Sequence, residues 1–405
     1  MSDVLQDNLA THFLRRTRGA PGSSLTRNGL FDADKVSARL KENGLRWPDV
    51  GLVPLAEAAE DSVVLQGKGD IVDIERPVET GHYIFDNVRL FPRSKVIAYR
   101  FRDVFLSYDV RFVGRPEFYL FDKEKRLVNG MFFGAAPFCD ETEDEIAEPA
   151  VLIDDFFVKP NICHFLFDKL PRAYLAEEAF GPRQGLIFRE FGYAEEIAGL
   201  MELVLRTLGG GKAARGTVRF RDLVLMSDSF NGLRHPGQYG SDRHLEVLAR
   251  LRARIPADPD GLRASRFMIE RAPGLPRNIV NAAEIRALAA RFDFAFGDPA
   301  AMTVREQLQL FSRIDVLMGV HGAGLTNLAF QPRGGAVIEL HAPLCGTPAY
   351  WIMARRLGLA YEAVTCLDPE FGVVDPTTVK HNPQFNRRDV VVPLDKLEEA
   401  LARIC

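Results

Sequence analysis

Residues 315–340 constrain what this chain can fold into more than any other stretch. Val316 to Val320 is a short apolar run of the kind that fills a buried parallel strand. His321 marks its end. Gly322, Ala323 and Gly324 follow with almost no side chain, so a ligand can approach the backbone closely. A helix opening at that turn points free N–H groups and a positive dipole end outward, an arrangement suited to phosphate. Thr326 and Asn327 stand in its first turn and offer hydroxyl and amide donors. Gly334 and Gly335 close the unit, and Glu339 falls near the end of the following strand. Ligands of open α/β sheets bind at that edge.

Small residues after a strand also let a helix pack tightly on a sheet, and a lone Gly-x-Gly says no more than that. The His, Thr and Asn crowding the same turn point to phosphate. Two other turn chemistries fail on spacing. An esterase oxyanion hole needs a Gly-x-Ser-x-Gly elbow elsewhere in the chain, and none is present. A dinucleotide fingerprint needs a glycine three residues after Gly324, where Asn327 stands.

The second half alternates strand and helix. Strands are expected at Arg266–Arg271 and Phe294–Phe296, and helices at Asp242–Arg254, Asn281–Phe292, Thr303–Ile314 and Ala349–Leu357. Thr303-x-x-Glu306 is a capping box, and Asn281-x-x-Glu284 has the look of one. Alternation at this spacing implies a parallel sheet. Residues 62–130 are instead β-rich, with short strand candidates such as 95–99, 104–106, 110–113 and 118–121. Further on come a strand at 151–153, a helix from Asn161 to Arg172 with Asn161 as N-cap and Pro171 as a break or kink, a strand at 185–188, a helix at 195–208 and a strand at 223–226. At 405 residues two domains are expected, with the boundary in the Gly- and Pro-rich stretch Asn231–Ser241.

The expected architecture is α/β: two Rossmann-like parallel-sheet domains facing a cleft, with a β-rich N-terminal part. Residues 1–235 form the first domain, with the β-rich extension at about 60–130, and 236–390 the second. The last helix, Leu394–Ile404 within 391–405, is free to pack back on the first. Gly209-Gly-Gly-Lys212 fails Walker spacing and reads as a turn, and the acidic run 140–145 as a solvated loop.

A net charge of −4 gives no sign of a nucleic-acid partner. The five scattered cysteines make neither a disulfide framework nor a zinc knuckle. The N-terminal region carries Arg15, Arg16 and Arg18 without an apolar run, and no stretch approaches a membrane span. The reading is a cytoplasmic protein, with peripheral attachment at the inner face of a membrane left open.

The order Asn161-x-x-His164-Phe-Leu-Phe-Asp168-Lys-Leu-Pro171-Arg172, Arg271, Arg277-x-x-x-Asn281-x-x-Glu284, Glu306-Gln307, His321-Gly-Ala-Gly-Leu-Thr-Asn327 and Val337-Ile-Glu339 resembles glycosyltransferase family 61. The resemblance spans residues 150–345, and the His321–Asn327 block is its most specific part. Where the family often has Asn-Glu-x-Glu, this chain has Asn281-Ala-Ala-Glu284. The resemblance implies an inverting, metal-independent transferase of the GT-B fold, using a nucleotide-sugar donor, with a UDP-sugar expected. Its bacterial members are associated with capsular and other surface polysaccharides, and the implied acceptor is a saccharide or a lipid-linked one. A catalytically silent nucleotide-sugar-binding partner in a polysaccharide assembly complex is the alternative.

The residues fit that chemistry. A diphosphate leaving group without a metal needs cations and helix N-termini. Arg271 and Arg277 are expected beside His321, because the planar guanidinium can bind two phosphate oxygens and keeps its charge. The expected donor-binding set is Arg271, Arg277, His321, Gly322, Ala323, Gly324, Thr326, Asn327 and Glu339, the last accepting donor hydroxyls. Asn281 and Glu284 read as caps. Inversion needs a base near the acceptor hydroxyl. Asp168 and His164, four apart on one helical face, are the candidates, supplied by the first half across the cleft; a buried structural pair is the other reading. No metal or cofactor is expected. Asp32-Ala-Asp34 and Asp258-Pro-Asp260 have the Asp-x-Asp form but lie away from the central turn. Tyr350 and Trp351 read as core.

Overall fold

The computed structural model describes residues 52–66, 71–73, 90–92, 96–110, 117–133, 139, 144–154, 161–209, 214–227, 242–256, 264–272, 274–343, 348–374 and 388–405. The expectations for Asp32–Asp34, Asp258–Asp260, Gly210–Lys212, most of the acidic run and the boundary stretch 231–241 lie outside them. The chain divides into two compact units. One holds the described residues within Met1–Gly67, Lys95–Pro160 and Lys169–His235; the other those within Lys68–Ser94, Asn161–Asp168 and Pro236–Cys405. Among the described residues no helix is long and apolar enough to cross a membrane.

The first unit is built on a ten-stranded mixed sheet rather than a Rossmann-like parallel one. Its spine is the antiparallel pair Val96–Asp109 and Arg215–Met226, in register from Asp109 opposite Arg215 to Ala98 opposite Met226. Strands Glu117–Phe121 and Leu127–Phe133 continue it as an antiparallel meander. On the far side Ala150–Leu152, Gln184–Ile187 and Leu205–Thr207 pair in parallel; Asp144–Ile146 also runs parallel to Arg215–Met226, and Leu52–Val53 to Leu127–Phe133 at the other edge. Short connections explain this. Asp122 closes the turn to Arg126 through its backbone and takes Glu124 N and Arg126 N on its side chain, and so tight a link permits only antiparallel neighbours.

Two local expectations change here. Candidates 95–99 and 104–106 fall in one strand, Val96–Asp109, because a single register with Arg215–Met226 runs through both; Asp103 takes φ +50° within it and is held by Arg219 and Arg221 at 2.9 and 2.8 Å. The helix expected over 195–208 spans only Gly192–Leu200. Glu202 turns left-handed at φ +58°, Leu203 N bonds Ala198 O and Glu202 N bonds Gly199 O. That is a Schellman stop, and it frees Leu205–Thr207 to pair with Gln184–Ile187.

The second unit carries a five-stranded, wholly parallel sheet: β1 (Arg266–Ile269), β2 (Ala295–Gly297), β3 (Val316–Val320), β4 (Ala336–His341) and β5 (Ala360–Thr365). The spatial order is 2-1-3-4-5. β3 and β4 are buried along their whole length; β3 accordingly reads as an unbroken apolar run, whereas β4 buries Glu339 and His341 among its apolar residues. The Thr303–Glu306 capping box forms as expected and starts helix Val304–Phe311. The one at Asn281 does not. Its amide instead bonds both backbone groups of Val392, tying the start of helix Ala282–Ala290 to the strand-like segment near the C-terminus. Helix Leu394–Ile404 packs on β5 and on Ala282–Ala290 within the second unit, through Leu397, Ala400 and Leu401.

Pro171 does not end its helix. Helix Ile162–His164 widens into a π turn, Phe165–Lys169, and resumes as Leu170–Phe180. Proline has no N–H to return to the carbonyl four residues back, which is Phe167 O. That carbonyl accepts from His244 Nδ1 at 3.0 Å instead.

Candidate functional site

In a sheet ordered 2-1-3-4-5 the connections leave β1 and β3 in opposite directions, and the crevice between their C-terminal ends is where ligands bind. β1 ends at Ile269 and Arg271 follows; β3 ends at Val320 and His321-Gly322 follow. The structure brings these together. The Nη1 atom of Arg271 lies 2.6 Å from where a side-chain carbon of residue 322 would stand. Gly322 is therefore glycine because a guanidinium occupies its side-chain space. Its φ of 168° is ordinary extended backbone.

Arg277 lies in the loop after β1 and takes φ +66°, a left-handed conformation uncommon for a residue with a side chain. Among the described residues no carboxylate forms an ion pair with Arg271 or Arg277, and the Nε of each is buried without a hydrogen-bond partner. Burial, and then the charge of Arg277, push the Arg271 guanidinium below its ordinary value, opposed by Asp298 just past β2. Two cations that repel one another at a strand-end crevice are most simply held there by an anion.

The turn departs from expectation in detail. Ala323–Phe330 is a 3-10 helix, with Leu325 N on Gly322 O at 2.9 Å; Leu325 and Leu328, three apart and fully buried, share its inner face. Gly324 does not leave room for a ligand. A side chain there would meet Ile269 at 3.3 Å, so this glycine serves close packing of the turn on β1. Thr326 and Asn327, expected as donors, face inward at 0% and 1% exposure. The Asn327 amide bonds Gln307 Oε1 and Gly324 O, at 3.3 and 3.1 Å, and so fixes the turn. Ala323 stays partly open. Tyr350, buried as expected, also donates to Gly322 O at 2.7 Å.

Glu339 is turned inward as well. It is 1% exposed, and both oxygens are engaged: Oε1 by His321 Nδ1, and Oε2 by the Tyr361 hydroxyl at 2.6 Å. At that burial it faces the interior of the sheet and not solvent. Burial works against its charge, but the imidazoles of His321 and His341, with the bonds from His321 and Tyr361, outweigh it and hold the carboxyl below the usual range. His341 and Tyr361 escaped the sequence reading. The period-two rule would have found His341, two residues beyond Glu339 on the same face of β4.

His164 and Asp168 are joined, Nδ1 to Oδ2, at 2.6 Å. They belong to the second unit and not, as the sequence suggested, to the first half. Asn161 caps the segment through Cys163 N and His164 N, and the segment packs on the 3-10 turn. The Cys163 thiol borders Thr326 and Tyr350, and burial pushes it up to about 12, which makes it a packing group and no nucleophile. Asp168 is 4% exposed, whereas the His164 side chain is 24% exposed, so the imidazole is the accessible member of the pair. Arg172, in the first unit, is fully buried and donates to Ile153 O at 2.8 Å.

The family model for Glycosyltransferase 61 matches residues 162–338, from the capped segment to β4. The beta-1,2-xylosyltransferase XAX1 of Oryza sativa subsp. japonica is 29% identical over 175 residues. That alignment covers 41% of this chain and 30% of the rice protein, so the chain spans about a third of that relative's length. Together they support glycosyltransferase family 61 for the stretch that builds this site. Among solved structures, the bacterial iron-containing dodecameric glycosyltransferase TibC of enterotoxigenic E. coli H10407 aligns with 77% of this chain and 93% of its own, at 10% identity and a TM-score of 0.33. Similarity at that level carries no argument about this chain.

Proposed function

We propose that this protein is an inverting glycosyltransferase that moves a sugar from a nucleotide-sugar, a UDP-sugar in the first instance, to a saccharide or lipid-linked acceptor in surface polysaccharide synthesis. The two α/β units are read as the two halves of a GT-B transferase. The observation that carries the reading is the guanidinium of Arg271 seated against Gly322 at the β1–β3 switch point, with Arg277 beside it and no carboxylate paired to either among the described residues. A diphosphate accepts bidentate bonds from such a pair, and its developing charge is stabilised as the bond to the sugar breaks. That work needs no metal ion.

His164 is the proposed base. Its Nδ1 is bonded to Asp168, so Nε2 is the ring atom that takes the acceptor hydroxyl's proton while that oxygen attacks the anomeric carbon opposite the leaving diphosphate. Asp168, buried, sets the tautomer and stabilises the imidazolium that forms, as the carboxylate of a hydrolase triad does. The aligned rice protein is a xylosyltransferase by name, which places a pentosyl donor among the first to try.

The test is a thermal-shift panel of UDP, GDP and their sugars on the full chain, followed by a donor-hydrolysis assay. A melting-point rise with one nucleotide-sugar and slow nucleotide release, both lost in Arg271→Ala, are expected. Binding without any hydrolysis or transfer would make the protein a silent binding module. No response to any nucleotide would remove the donor site altogether.

A further inference from the structure

Beneath the turn lies a buried polar network that phosphate binding alone does not explain. β4 places Glu339 opposite Gly319 of β3, and His341 two residues on, with its side chain on the same face. β5 supplies Tyr361, whose hydroxyl donates to Glu339 Oε2. Helix Ala349–Leu357 supplies Tyr350, whose ring centroid is 5.1 Å from that of His321. Arg271, after β1, stands against the next residue, Gly322. The His341 ring is 5.5 Å from the His321 ring, and its Nε2 is 3.8 Å from Glu339 Oε1. His321 therefore sits between a buried carboxylate and the edge that holds the arginines.

A carboxylate can only accept, so the bond from His321 Nδ1 requires the proton on that nitrogen. An imidazole held this way has one defined tautomer, a fixed ring plane and a raised proton affinity at its other nitrogen. We propose that Glu339 is a positioning residue for His321: it locks the Nδ1 proton and favours protonation of Nε2, so that the ring donates from Nε2 to the diphosphate as a third cation beside Arg271 and Arg277. No proton changes hands in this step; the imidazolium contributes a charge-assisted hydrogen bond to the leaving oxygen. The inference rests on the donor-site reading above.

The competing occupant is a divalent cation. The ligand atoms of His321, Glu339 and His341 lie within 4.8 Å of one another. Donor atoms on one metal stand about 3 Å or more apart, given bonds of about 2.1 Å. His321 and Glu339 are bonded directly, which favours a shared proton over an ion.

The experiment is long-range proton–nitrogen NMR on full-length protein labelled in its histidine rings, with His321→Asn assigning the signal. The expected result is an Nδ1-protonated His321 whose titration midpoint falls by about one pH unit in Glu339→Gln. Inorganic pyrophosphate, followed by calorimetry at pH 7, should bind about tenfold more weakly to that variant, with the difference narrowing as pH falls and the ring gains its proton anyway. Glu339→Asp, whose shorter side chain draws the carboxylate away from Nδ1, should move the midpoint in the same direction by less, and it carries the test if Glu339→Gln does not fold. An Nε2-protonated neutral ring, or a midpoint unmoved by both variants, would overturn the proposal. So would a stoichiometric metal found by elemental analysis and lost in His341→Asn. Failure of the wild type to bind pyrophosphate, whatever the ring does, would instead remove the donor-site reading.

Discussion

Arg271 fills the side-chain space of Gly322: its Nη1 lies 2.6 Å from the point a Cβ would take. The displaced group is the far end of a flexible side chain, and the glycine backbone is extended, so Gly322→Ala should fold normally. Its melting temperature should stay within a few degrees of wild type, the range of an ordinary surface change of about 0.5 kcal/mol. Pyrophosphate and UDP binding should drop about tenfold or more, approaching Arg271→Ala, because the guanidinium must leave the crevice. Calorimetry with a parallel thermal melt checks both halves. A destabilised variant with unchanged affinity would mean that Arg271 is packing and not a ligand.

Gly335 gives the opposite pattern. A Cβ there meets two backbone carbonyls, Asp315 O at 2.8 Å and Pro332 O at 3.1 Å, and neither can swing away. Gly334 beside it needs φ +82°. Gly335→Ala should cost on the order of 2–3 kcal/mol in urea unfolding through overpacking between β3 and β4. The affinity of whatever protein remains folded should be that of wild type. A cost below about 0.5 kcal/mol would show that the β3–β4 connection yields more than this packing allows.

These two glycines show where the sequence was informative and where it stopped. The apolar run of β3, the Thr303 box and the small-residue turn are local patterns, and local chemistry makes them legible. That Arg271 would stand on the same sheet edge as His321 followed from strand-end chemistry once a parallel sheet was expected, but its seat against Gly322 did not. What stayed hidden depends on partners far away in sequence. Gly324 answers to Ile269, Asn327 to Gln307, and Glu339 to Tyr361, and none of these pairings leaves a periodic trace. The first sheet was misread for the same reason, since the Val96–Asp109 and Arg215–Met226 pairing joins segments more than a hundred residues apart.

In the first unit, acid should unfold the protein partly through Asp222. Its buried carboxylate takes Arg100 Nη2 at 2.8 Å and Arg183 Nη1 at 2.7 Å. Burial opposes its charge, but the two arginines outweigh it and hold the carboxyl below the usual range. A folded value below the unfolded one means stability that is full above about pH 4 and is lost as pH falls through the folded value. Asp222→Asn should cost about 3 kcal/mol at pH 7, because two guanidinium groups lose their counter-charge. The gap to wild type should close as pH falls below about 4 and the carboxylate takes up its proton, in melts followed by circular dichroism. A gap constant with pH would mean that the charge on Asp222 contributes nothing.

His164 and Asp168 separate a catalytic from a structural pair. In Asp168→Asn the amide can still meet His164 Nδ1, but it can present its N–H and so stabilise the wrong tautomer, with the proton on Nε2. Such a ring cannot accept a proton from the acceptor hydroxyl. Once a donor is identified, kcat should fall about a hundredfold or more with KM for the donor nearly unchanged, since the diphosphate is held elsewhere. His164→Ala should fall as far, and the double variant no further, because the two act as a unit. Donor binding measured by calorimetry should be the same in all three. If Asp168→Asn turned over at the wild-type rate but melted several degrees lower, the pair would be a clamp that seats the Asn161 segment on the 3-10 turn, and the proton would have to go to a different acceptor.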